Sequence, residues 1–113
     1  MTISEFLKLK GLDLFEKIKY KGWALPYVDA HNLLFSYEKN NILVLGFDVY
    51  DVKKEQIIGA WGILEINGEQ FDDFQKRSID EGKIKLRQWF NEDFLYVLVP
   101  FLSEDRQDSI QMV

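Results

Sequence analysis

The chain has no cysteine. Disulfides, zinc–thiolate sites and thiol nucleophiles are therefore excluded. It has a single histidine, His31, so the commonest general base near neutral pH is present only once. The hydroxyl nucleophiles are Thr2 and the serines at 4, 36, 78, 103 and 109, and none stands in a nucleophile-elbow pattern. His31 reads as a helix-edge side chain bonded to water or backbone. Gly59-Ala60-Trp61-Gly62 lacks the spacing and the following lysine of a phosphate loop. Asp72-Asp73 and Asp80-Glu81 are carboxylate neighbours on a helix, where successive side chains diverge by about 100° and do not converge on a substrate. Asp48 and Asp51 point to opposite sides of a strand and are too close in sequence for a calcium loop. No catalytic residue, cofactor or metal is expected, and the chain is read as a non-enzyme.

Long apolar runs are also missing. The longest, Phe94 to Leu102, has nine residues and is too short to span a bilayer as a helix. The N-terminus lacks the basic and apolar regions of a signal peptide, so a cytoplasmic protein is expected. Basic residues are outnumbered, 14 against 19 acidic, for a net charge of −5. Phosphate backbones repel such a chain, so nucleic acid is not an expected partner, and without a spanning run neither is a membrane. A basic protein would be attracted.

What is present is apolar and aromatic. Hydrophobic residues make up 47% of the 113 positions and aromatics 15%, enough for one self-sufficient core and too short a chain for two. A single domain is expected over residues 1–113, ordered from about 12 to 102, with a loose tail at 103–113. Asp13 with Glu16 marks a helix start that should run to Gly22, after an earlier helical turn within 3–10. Pro26 opens a helix reaching residue 39, with Tyr27, Ala30, Leu34 and Tyr37 at helical spacing and Asn40-Asn41 as its stop. From Ile42 to Asp51 the period becomes two. Leu43, Leu45, Phe47 and Val49 share one face; Ile42, Val44, Gly46, Asp48 and Tyr50 share the other. Lys53-Lys54-Glu55 turns the chain into a hairpin partner over 56–66, where Gly59 and Gly62 predict a bulge or a close approach. Asn67-Gly68 precedes a long helix over 70–91, on whose apolar stripe Ser78 and Gly82 allow close packing. Phe94 to Phe101 reads as a strand buried on both faces. The predicted fold is α+β, element order α-α-β-β-α-β, with helices on a small three-stranded sheet of order 2-1-3. In that order the last strand lies at an edge, which fits its two-faced burial imperfectly; a covering helix or a partner would supply the missing layer.

An acidic and aromatic surface is the remaining candidate for function. Asp48, Tyr50 and Asp51 end the first strand, Trp61 lies in its hairpin partner, and Asp72 and Asp73 open the long helix. Aromatic anchors ringed by charge suit protein binding. These six are the candidate partner-binding residues. An alternative is a small-molecule-binding or regulatory domain without catalysis, with a cavity lined by Tyr27, Tyr37 or Trp89.

Leu25-Pro26-Tyr27-Val28-Asp29-Ala30, then Val44-Leu45-Gly46-Phe47-Asp48-Val49-Tyr50, then Trp61, resemble immunity-protein family forty of bacterial polymorphic toxin systems. Phe74-Gln75-Lys76-Arg77-Ser78-Ile79-Asp80 and Phe94-Leu95-Tyr96-Val97-Leu98-Val99 extend the resemblance over residues 25–101. The matched positions are Pro26, Gly46, Asp48, Tyr50, Trp61 and Ser78. Phe47 replaces a glycine common in the pattern, and the segment around Trp61 is shorter and richer in glycine. The resemblance implies a small cytosolic protein that neutralises a cognate toxin domain by direct contact. The exposed edge strand leaves both a monomer and a homodimer open.

Overall fold

The computed structural model describes residues 1–113. Thr2 starts helix α1 (Ile3–Lys10) with a reciprocal cap: its hydroxyl accepts from the Glu5 N–H, and the Glu5 carboxylate accepts from the Thr2 N–H. Strand β1 (Leu12–Asp13) leads into helix α2 (Leu14–Ile18), where Asp13 accepts from the Phe15 N–H. This helix does not reach Gly22. It stops at Lys19, which adopts a left-handed φ of 59° and donates its N–H to the Phe15 carbonyl. Strand β2 (Trp23–Ala24) pairs antiparallel with β1. Helix α3 (Tyr27–Lys39) begins one residue after Pro26, which serves as its cap, and ends where the Asn40 side chain donates to the Ser36 carbonyl. Strands β3 (Val44–Asp51) and β4 (Gln56–Gly62) form the hairpin. Helix α4 (Phe71–Gln88), strand β5 (Phe94–Pro100) and the short helix α5 (Glu104–Gln107) complete the chain.

The main sheet has the order β4-β3-β5 with both pairings antiparallel, so the first hairpin strand lies in the centre. The α+β class stands, but the element count needs correction. The expected α-α-β-β-α-β omits the first helix, read only as a helical turn, the two-stranded sheet β1-β2 and the last helix. Two-residue strands are too short to show any period of two, and only their partner reveals them.

That second sheet supplies the layer the edge strand needed. Along β5, side chains alternate between two cores. Phe94, Tyr96 and Leu98 belong with α3 and α4, whereas Leu95 and Val97 belong with Leu14, Ala24 and Tyr50. The segment from Leu12 to Ala24 thus covers the face opposite the long helices. Leu25 then exchanges both backbone hydrogen bonds with Tyr96 at 2.8 Å, closing part of the β5 edge.

The strict alternation expected along β3 breaks at a bulge. Val44 pairs with Pro100 and Gly46 with Val99, which leaves Leu45 unmatched. The phase therefore flips. Val44 joins Phe47 and Val49 in the main core, while Leu43 and Leu45 pack instead with Ile63 and Phe74. A Cβ on Gly46 would collide with the Trp61 carbonyl oxygen, so glycine is required there by close approach. A second bulge leaves Ile58 of β4 unpaired, and Gly59 beside it lies against the Trp89 ring.

Ser78 and Gly82 let α4 sit close to its neighbours. The Ser78 hydroxyl accepts from the Val44 N–H at 3.3 Å and donates to the Gln75 carbonyl at 2.8 Å. Gly82 faces Leu34 and Trp61. The C-terminal segment, expected to be loose, is tied back to the N-terminus. Ile3 donates to the Ile110 carbonyl, Met112 to the Met1 carbonyl, and the Val113 N–H to the Ser36 hydroxyl. Ile110 and Met112 pack on the main core. These apolar residues are flanked by a charged run, which masks them in a composition-based reading.

Candidate functional site

The six residues singled out from the sequence do not form one surface. Trp61 is directly opposite Phe47 in the ladder and stacks on it with ring centroids 5.5 Å apart, on the α3/α4 side of the sheet. Asp48 and Tyr50 project from the other side. Tyr50 is 1% exposed and fills the second core with Leu14, Ala24 and Val97. Asp51 is also buried, and its carboxylate accepts the Lys53 and Lys54 N–H groups of the hairpin turn. The expectation of a shared edge is corrected for these two: Tyr50 packs the core and Asp51 holds the turn. Asp48 is half-buried and accepts a hydrogen bond from the Tyr20 hydroxyl. Burial, then the adjacent Asp48 carboxylate, raises the Tyr20 phenol above its usual range. Asp72 and Asp73 are exposed in the first turn of α4, where negative charge suits the helix dipole.

Phe71, which precedes Asp72 and Asp73 in the first turn of α4, lines an apolar groove that sequence reasoning did not find. Its volume is about 500 Å3, and Leu43, Leu45, Phe71, Phe74 and Phe101 line it, with Glu65 and Glu69. Phe71 is 52% exposed and Phe101 69%. The loop from β4 to α4 adds exposed Leu64 and Ile66 on either side of Glu65. This loop is held in place from α4. The Arg77 guanidinium donates to Glu69 at 2.7 Å, to the Leu64 carbonyl at 2.8 Å and to Glu81 at 3.3 Å. The Glu69 side chain in turn accepts from the Ile66 N–H. Arg77 holds the Glu69 carboxyl well below the usual carboxylate range, at about 2. The one available signal was apolar Leu64 and Ile66 beside the Asn67-Gly68 turn, where a solvated loop has no use for them.

A second recess, of about 740 Å3, opens between the Asp13–Trp23 segment, β5 and the C-terminal segment. Asp48 faces it. Of Tyr27, Tyr37 and Trp89, only Tyr37 lines a recess. Tyr27 instead stacks edge-on with His31 and Phe90, at 4.6 and 4.7 Å. Trp89 packs against Gly59 and Phe94.

His31 has its Nε2 buried without a hydrogen-bond partner. Burial, with Arg87 and Lys83 nearby, lowers its pKa and favours the neutral ring. No three histidine or carboxylate side chains are grouped so as to hold a metal ion. No helix is long and apolar enough to cross a membrane.

Taken together, these features define a small α+β domain with an apolar groove and an acidic recess meeting at the end of β5. The sequence profile of the family described as Immunity protein 40 matches residues 9–100, and the chain belongs to that family. No curated protein and no solved structure matches the chain.

Proposed function

We propose that this protein binds and neutralises a cognate bacterial toxin domain by direct contact, through the apolar groove at the start of α4 and its acidic rim. Membership of the Immunity protein 40 family supports the toxin partner. The observation that carries the surface is the pair Phe71 and Phe101, both more than half exposed across one groove. A large aromatic left in water costs hydration free energy in the isolated chain, and binding recovers it. Glu65 and Glu69 in the groove wall, and a net charge of −5, favour a basic toxin face. Charge speeds the encounter, and burial of the two phenylalanines on binding sets the dissociation rate. The protein needs no cofactor for this, and no catalytic step is involved.

Coexpression with the neighbouring reading frame tests it. The toxin domain should co-purify at a fixed stoichiometry, and growth should be rescued. Replacing both Phe71 and Phe101 with Asp should abolish rescue and weaken binding by at least about 100-fold, in keeping with loss of two anchor residues. Circular dichroism should show the fold retained, since both side chains are exposed. Full protection by this double variant would discard the groove as the contact surface.

A further inference from the structure

The recess beside Asp48 carries an unusual wall. Five carboxylates line it: Asp13, Asp48, Glu104, Asp105 and Asp108, against the one cation Lys21. Lys21 is itself bound to Glu104 at 2.9 Å. Asp105 and Asp108 form no ion pair, and their negative charge is left to the recess. Such a cluster would ordinarily be only a solvated acidic face. The independent observation is Tyr37. This side chain is 1% exposed, yet it lines the recess, and its hydroxyl makes no hydrogen bond within the protein. Nor is that hydroxyl sealed in, as the only enclosed polar atom lacking a partner is His31 Nε2. A buried phenol therefore presents its unpaired oxygen to a cavity whose walls are negative. Water is the only partner this oxygen has, and an N–H donor entering the recess would take that water's place.

We propose that this recess receives a cationic side chain, an arginine guanidinium, presented by the toxin domain. Guanidinium carries five N–H donors and no acceptor, which matches a wall of carboxylates and a phenol oxygen. Its flat face also stacks on aromatic rings, and Phe15, Tyr20 and Trp23 line the same recess. The source of the arginine rests on the toxin-binding reading above, whereas the preference of the recess for a guanidinium does not. Val99 and Pro100 line this recess and Phe101 the apolar groove, so one partner face laid over the end of β5 reaches both.

The test uses the full chain, labelled with 15N, and needs no toxin. N-acetyl-arginine amide is titrated and compared with N-acetyl-citrulline amide, which has the same shape without the charge. Arginine should give saturable shifts at Gly22, the Trp23 indole and Val99, and citrulline should give none. Tyr37→Phe removes only an oxygen that bonds to nothing in the protein, so the melting temperature should hold. Binding of the arginine probe should weaken by about fivefold, the size of one hydrogen bond. Asp105→Asn with Asp108→Asn, both exposed, should weaken it further. Equal shifts from citrulline, shifts spread evenly over the acidic surface including Asp72 and Asp73, or indifference to Tyr37→Phe would each overturn the proposal. A toxin domain that co-purifies while the recess ignores the arginine probe leaves the toxin reading standing and sinks this one. A recess that takes the probe in a chain with no toxin partner does the reverse.

Discussion

Glu69 and Arg77 illustrate how much one residue pair governs in this protein. Their contacts fix the loop that carries Leu64 and Ile66, so the shape of the groove depends on them. The Glu69 carboxyl titrates at about 2 in the folded protein instead of 4.5. Its pKa is lowered on folding, so the folded state binds this proton less readily than the unfolded chain. The resulting stability is fully present above pH 4.5 and is lost as pH falls through about 2. Glu69→Gln should therefore have a lower urea midpoint than the parent at neutral pH, and the difference should shrink across that acid window. A difference independent of pH would show that the pair contributes packing rather than charge. At this scale the sequence was a partial guide. Asp72 and Asp73 were legible as exposed charges, because helix position alone exposes them. Tyr50 and Trp61 were not separable, since both are aromatic residues in strands and only the register puts them on opposite faces.

At the scale of elements, the glycines distinguish two kinds of constraint. Gly46 sits where β3 bulges against the Trp61 carbonyl, and an added methyl group meets rigid backbone. Gly82 lies in a helix, and its nearest neighbour is the flexible end of Leu34 at 3.4 Å. Gly46→Ala should destabilise the fold by about 3 kcal/mol, as overpacking against backbone does. Gly82→Ala should stay within about 1 kcal/mol of the parent, because alanine's helix preference offsets the small adjustment of Leu34. Denaturant unfolding of the two variants checks both; equal losses would show that α4 is packed as rigidly as the sheet. The helices were legible because Tyr27, Ala30, Leu34 and Tyr37, and likewise Phe74, Ser78, Gly82 and Leu86, repeat over several turns. The bulge at Leu45 was not. A strand of apolar residues reads the same in either phase, and the flip depends on the partner strand.

For the whole molecule, the C-terminal segment closes the structure. It joins the N-terminus through the Thr2 and Gln111 bridge and places Ile110 and Met112 on the core. The same segment supplies Glu104, Asp105 and Asp108 to the acidic recess. Removing residues 103–113 should cost about 2 kcal/mol, from the apolar area of two partly buried side chains and the lost backbone bonds. It should also erase the response to the arginine probe while leaving the groove around Phe71 in place. Thermal melts and the same titration read the two effects separately. An unchanged melting temperature would mean the segment adds nothing to stability in solution.

The amino-acid sequence by itself determined the α+β class, the long helices, the central hairpin and the acidic balance. These follow from period, turn chemistry and charge, which are local or additive properties of the chain. Only the tertiary structure decided which side chains share a surface. Phe71 and Phe101 are thirty positions apart, and Asp13, Asp48 and Asp108 come from three separate segments. Their meeting depends on strand register, on a single bulge and on where the C-terminus docks, and each of these is set by packing between distant parts of the chain.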